Sequence, residues 1–129
     1  MQEGSMQQFE KDFIVECKKK LLSLKADLLN LAKAQQFELS TINKSSGDEI
    51  DLTVSEINEK MVLISHERTR FQLLEVELAL GRIEKGFFGV CEETQEPIEI
   101  QRLRALPFTR LSIEGAEIRE MLKLKNASK

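Results

Sequence analysis

Residues 5 to 46 contain neither glycine nor proline, and their apolar side chains recur at alternating steps of three and four. Ile14, Cys17, Leu21, Leu24, Leu28 and Leu31 form the row, flanked by Lys18, Lys19, Lys20 and Lys25. This is an a/d heptad seam, and it predicts a helix from about Gln7 to Phe37. A second seam reads Ile50, Val54, Ile57, Met61 and Ile64, then Arg68, Phe71, Glu75 and Leu78, and continues to Gly86. Beyond Phe71 another apolar row, Leu73, Val76, Leu80 and Ile83, joins it, so that end must be covered on two sides. Helices of ~30–35 residues run ~45–50 Å, and neither can bury its stripe alone. Antiparallel pairing solves the problem for both. The expected fold class is therefore mostly all-α, a long antiparallel coiled-coil hairpin on a small globular base.

The connecting stretch from Glu38 to Asp51 is rich in Ser, Thr, Asn and Gly, whose local hydrogen bonds compete with helix. It predicts a hairpin over residues 7–86 with its tip at about 38–52. Ser46-x-x-Glu49 and Thr53-x-x-Glu56 both fit the capping box that opens a helix. Residues 87–125 then form the base. Phe87–Cys91 and Pro97–Ile100 read as short β-type runs around a Glu-Glu-Thr-Gln turn, Gln101 to Ala105 as a short helix, and Ile113 to Lys125 as the last helix.

The composition excludes several classes. A net charge of −3 lacks the basic footprint of a general nucleic-acid binder. No apolar run approaches the ~20 residues that span a bilayer, and the chain opens on a polar stretch rather than a signal peptide. Two cysteines far apart in sequence suggest neither a disulfide framework nor, by spacing, a metal site. One histidine, no glycine-rich phosphate loop and no nucleophile–base pair argue against an enzyme. Cytoplasm is the expected compartment, with neither membrane nor sequence-specific DNA as a partner.

The segment from Gly86 carries more specific information. It contains Phe88-Gly89-Val90-Cys91, then Glu96-Pro97-Ile98, then Arg102-Leu103-Arg104-Ala105-Leu106-Pro107. This resembles the C-terminal zinc finger of the DksA/TraR family of bacterial RNA polymerase regulators. The family's ligand spacing, C-x2-C-x17-C-x2-C, falls here on Cys91, Thr94, Ser112 and Gly115. Three of the four ligand positions have lost cysteine. Thr94 and Ser112 are poor ligands and Gly115 offers none, so no zinc and no other cofactor is expected. His66 reads as a solvated helix residue rather than a stand-in ligand. An apolar core is expected in place of the metal, built from Phe87, Phe88, Val90, Ile98, Ile100, Leu103, Leu106, Phe108, Leu111 and Ile113. Cys91 would be a small buried hydrophobe with nothing nearby to lower its pKa, and Cys17 a seam residue.

The resemblance also implies a role for the tip. The family's D-x-x-D-x-A motif lands, without a gap, on Asp48, Asp51 and Thr53, both aspartates being present and the alanine replaced. In the family the hairpin enters the polymerase secondary channel and presents these carboxylates near the catalytic magnesium. Arg102 falls on the family's R-L-x-A-x-P stretch and would contact polymerase. Some members share a guanosine tetraphosphate site with the polymerase. Arg68 matches one of its basic residues, whereas Glu75 and Ala116 stand where lysines are expected. A carboxylate there repels a polyphosphate. The implied function is a monomeric, non-enzymatic transcription regulator; periodicity alone would equally allow a coiled-coil adaptor with no polymerase role.

Overall fold

A computed structural model of the chain describes residues 9–44 and 52–127. Its helices are α1 (Lys11–Lys44), α2 (Leu52–Lys85), α3 (Ile100–Ala105) and α4 (Ile113–Ala127). The first two are 34 residues each and form the helical hairpin. The residues divide into two compact units. One, the hairpin unit, is Ser23–Leu74; the other, the base, joins the chain up to Leu22 with everything from Glu75 onward.

α1 continues through Glu38–Lys44, a stretch expected to lie in the tip loop. Two features carry it. Leu39 and Ile42 are half-buried and extend the apolar row by one more step of three. The Ser40 and Thr41 hydroxyls donate to the carbonyls of Phe37 and Glu38, one turn back, so they do not break the helix. Asp48 and Asp51 lie outside the described residues.

The base holds the core. All the buried apolar side chains among those described belong to it: Phe13, Cys17 and Leu21 from α1, Val76, Ala79 and Ile83 from α2, and Phe88, Cys91, Ile98, Leu103 and Pro107 from the finger-like segment. Several residues expected in this core are instead open to solvent, including Phe87, Ile100, Leu106 and Ile113. The helix ends supply what the finger segment alone does not. The expected β-type runs reduce to one antiparallel bridge, Val90 with Pro97, among the described residues. α2 stops in a Schellman motif: Gly86 takes φ +88°, its amide donates to the Ile83 carbonyl at 3.2 Å, and the Phe87 amide donates to Arg82 at 3.1 Å. Gly89, at φ +85°, lies against Phe9, whose ring would be 2.5 Å from a Cβ at that position.

The second seam is where the sequence reading fails. Val54, Ile57, Met61, Ile64 and Phe71, expected to face α1, are each more than half exposed. The least exposed row of α2 in the hairpin unit is Ser55, Glu59, Val62, His66 and Thr69, with His66 half-buried rather than solvated. This row also steps by four and three, and at Leu73, Val76, Leu80 and Ile83 it becomes the apolar row noted as secondary. In the base, Val76 and Ile83 of this row are buried. Thr69 is almost fully buried and donates its hydroxyl to the Ser65 carbonyl. On α1 the row holds from Cys17 to Leu28, then moves to Ala32 and Gln35, leaving Leu31 46% exposed. Two consecutive steps of four make this a stutter in the heptad. A groove of about 410 Å³ remains between the helices, beside Leu31, Gln35, Met61 and Val62, and the Gln35 Oε1 is buried there without a partner.

The two rows of α2 respond differently to truncation. Ile83→Ala in the base should lower unfolding free energy by ~2–5 kcal/mol, whereas Ile57→Ala should change it by less than ~0.5 kcal/mol. Denaturant unfolding of the two variants checks this, and comparable losses would put Ile57 back in the seam.

Candidate functional site

The four positions at metal-ligand spacing do come together, and their chemistry is that of a hydrogen-bonded knot. Cys91 is fully buried. Around it the chain makes a tight loop: the Cys91 amide donates to the Glu96 carbonyl at 2.8 Å and the Gln95 amide to the Cys91 carbonyl at 2.9 Å. The Thr94 amide points at the Cys91 Sγ, 3.5 Å away, and the Thr94 hydroxyl accepts from the Glu96 amide. Ser112 is the N-cap of α4, its Oγ accepting from the Gly115 amide at 3.0 Å. The Ile113 amide donates to the Glu99 carboxylate, so the first orphan donors of α4 are satisfied from two sides.

Gly115 has no side chain for a steric reason. The Cys91 Sγ occupies the place where a Gly115 Cβ would stand, with the Glu93 Cβ and the Ser112 Oγ each 3.3 Å from it. The donors therefore do not fit zinc: one thiol, two hydroxyls engaged in capping and turn formation, and a backbone. Among the described residues no group of three His, Cys, Asp or Glu side chains could hold a metal ion.

Burial pushes the Cys91 thiol up, but hydrogen bonding with the hydroxyls and backbone of Ser112 and Thr94 outweighs it, and the pKa falls from 9.0 to about 7. This corrects the expectation of an unperturbed small hydrophobe. Cys17 behaves as expected of a seam residue. It is fully buried, and burial, with Glu16 adding to it, raises its thiol pKa.

A chain of charges ties together the segments that a metal would otherwise join. Arg110 is bidentate to Glu75 at 2.7 and 2.8 Å and reaches Glu92 at 3.4 Å. Arg119 on α4 contacts Glu92 at 3.5 Å and Glu93 at 2.9 Å. Glu75 is the most enclosed member, 13% exposed. Its hydrogen bonds hold the Arg110 pKa above the ordinary value. Next to this pair, burial and the Arg110 charge lower the pKa of Arg82, whose guanidinium donates to the Phe108 and Thr109 carbonyls. α3 is fixed to α1 in the same way. Arg104 pairs with Glu16 at 3.2 Å and lies 5.3 Å from the Phe13 ring centre, while Lys20 donates to the Arg104 carbonyl.

Of the other residues singled out by sequence, Arg102 is half-buried and donates from Nε to the Leu111 carbonyl at 2.8 Å. Arg68 and Thr53 are exposed on α2 within the hairpin unit. Sequence reasoning missed Glu99, Arg110 and Arg119 as structural partners, because pairs 14 to 35 residues apart leave no periodic trace.

A helical hairpin together with a finger-shaped base, in which the residues at ligand spacing are engaged in hydrogen bonds, defines a class: a hairpin protein of zinc-finger type. Comparison with known proteins places it. The family model of the prokaryotic dksA/traR C4-type zinc finger matches residues 86–120. The RNA polymerase-binding transcription factor DksA of Caulobacter vibrioides is 34% identical over 103 residues, covering 80% of this chain and 72% of that protein. The uncharacterized protein YlyA of Bacillus subtilis is 36% identical over 90 residues, 70% of this chain and 65% of that one. The structure of transcription factor DksA2 from Pseudomonas aeruginosa superposes with a TM-score of 0.81 at 29% identity, covering 88% of each chain. The chain belongs to the DksA/TraR family.

The Cys91 environment makes stability depend on pH. Its folded pKa of about 7 lies below the unfolded value of 9.0, so the thiolate's contribution is full above pH 9 and is lost as pH falls through about 7. Unfolding free energy should rise between pH 7 and 9 in the wild type, and Cys91→Ser should flatten the rise. Parallel pH curves for the two proteins would show that the thiol stays neutral.

Proposed function

We propose that this protein regulates bacterial transcription by binding RNA polymerase and inserting its hairpin into the secondary channel, where Asp48 and Asp51 act on the catalytic region. The observation that carries the reading is the match, across 80% of the chain, to a transcription factor named for binding RNA polymerase. A slender two-helix rod suits a narrow channel, and carboxylates at its end are suited to basic side chains and a hard cation. Thr53, exposed in the first turn of α2, belongs to the same motif. Arg102 would meet polymerase with the part of its guanidinium not engaged by Leu111. The protein acts as a binding regulator rather than an enzyme, as a monomer within the cytoplasm. No helix among the described residues is long and apolar enough to cross a membrane.

Two further points follow from the same reading. The base works without zinc, because its ligand positions are engaged with one another. For guanosine tetraphosphate the residues are divided. Arg68 could meet a phosphate, but Glu75, at a position where a lysine is expected, supplies no cation and is committed bidentate to Arg110.

Asp48→Asn combined with Asp51→Asn should abolish the effect on transcription while leaving polymerase affinity nearly unchanged, since rod and base supply most of the contact area. Asn caps a helix about as well as Asp, so folding should be preserved. Transcription in vitro from an unstable ribosomal-type promoter, with polymerase binding measured in parallel, checks this. A double variant that folds, binds and regulates like wild type would reduce the aspartates to caps.

A further inference from the structure

The hairpin unit turns its better apolar stripe outward. Along α2, Val54, Ile57, Met61, Ile64 and Phe71 are 53, 53, 61, 56 and 61% exposed. With Arg68 they step by three, four, three, four and three, which is the a/d spacing that packs against another helix. The row that faces inward carries Ser55, Glu59, His66 and Thr69 instead. An exposed stripe over 18 residues, about 27 Å of helix, is long enough to be a docking surface.

The charges beside the stripe identify what fits it. Taking Val54, Met61 and Arg68 as a positions and Ile57, Ile64 and Phe71 as d positions, Lys60 and Glu67 occupy g, and Asn58, Ser65 and Gln72 occupy e. A second copy of α2 laid antiparallel, centred between Met61 and Ile64, sets g against g. Lys60 then meets Glu67 of the second copy, and Glu67 meets its Lys60. On the other edge Asn58 meets Ser65. Arg68 lies opposite Ile57, with its long apolar stem over the seam and its charge at the rim. The parallel arrangement does worse on both counts. It stacks Arg68 on Arg68, and it sets Lys60 and Glu67 against the uncharged e residues Ser65 and Gln72. Lys60 and Glu67 are both exposed in the single chain.

We infer that the outward face of α2 is a self-association surface, through which two copies pair antiparallel by Val54, Ile57, Met61, Ile64 and Phe71 with reciprocal Lys60–Glu67 ion pairs. The pair is a resting form. Its rod is thickened by the second copy, so it is unavailable to a narrow channel until it dissociates. That consequence rests on the proposed function, whereas the pairing itself does not.

The test uses the full chain in the absence of polymerase. Sedimentation equilibrium across a concentration series should show the mass rising from 14.8 kDa towards twice that value. Ile57→Asp with Ile64→Asp should hold the protein at the single-chain mass with helix content unchanged, as both sites are exposed. Lys60→Glu replaces two attractive pairs by two repulsive ones and should weaken association about tenfold. Lys60→Glu with Glu67→Lys restores the complement and should recover it. A wild type that stays at 14.8 kDa at every concentration overturns the inference. So does association that survives the double aspartate variant, or that ignores the reversal at Lys60. Failure of the proposed function would appear elsewhere, as a wild type that self-associates but neither binds polymerase nor alters transcription.

Discussion

The Cys91 sulfur stands where a side chain at position 115 would begin, and much of the base follows from that close approach. With no Cβ at 115, the start of α4 approaches the 91–96 loop closely enough for Ser112 to cap the helix and hydrogen-bond the thiol together. A structural zinc in an isolated finger contributes on the order of 10 kcal/mol of folding energy, and no single hydrogen bond approaches that. Stabilisation of the base is distributed. The core recruits Phe13, Cys17 and Leu21 from α1 and Val76, Ala79 and Ile83 from α2, at ~1.5–3 kcal/mol for each large side chain. The Glu75–Arg110–Glu92–Arg119–Glu93 chain links the same segments around its edge. Most of these charges are partly open to water, so they set geometry more than they add stability.

This division of labour shapes the hairpin. The buried apolar residues described all lie in the base, while the inner row that α2 contributes to the hairpin unit is largely polar and only Thr69 is closed off from solvent there. A two-helix unit with so thin a core draws little stability from its own packing. It also leaves an apolar face free for binding.

The helices, their antiparallel pairing and the buried place of Cys17 were legible because an uninterrupted heptad row over 14–28 admits little else. The finger-like base was legible from its spacing, and the arrangement of Cys91, Thr94, Ser112 and Gly115 followed once the chain was read against that pattern. The inner face of α2 was not legible. Its most apolar row is Val54 to Phe71, and a rule that buries the most apolar row selects it; the inward row runs on in sequence to Val76 and Ile83, which the same rule ranks second. The extent of α1 was misread for a related reason, since Ser40 and Thr41 read as breakers until their hydroxyls are seen bonded within the helix. The lowered Cys91 pKa depends on Ser112, 21 positions away, and left no local sign.

The most direct test of this account is the metal content of the purified protein together with its melting temperature before and after exhaustive chelation. A base held by the Cys91 knot and its surrounding core should contain zinc well below stoichiometry, and its melting temperature should not move with chelator, because no metal-linked stability exists to remove. Zinc at about one per chain, with a lower melting temperature and loss of helix when it is stripped, would contradict the account.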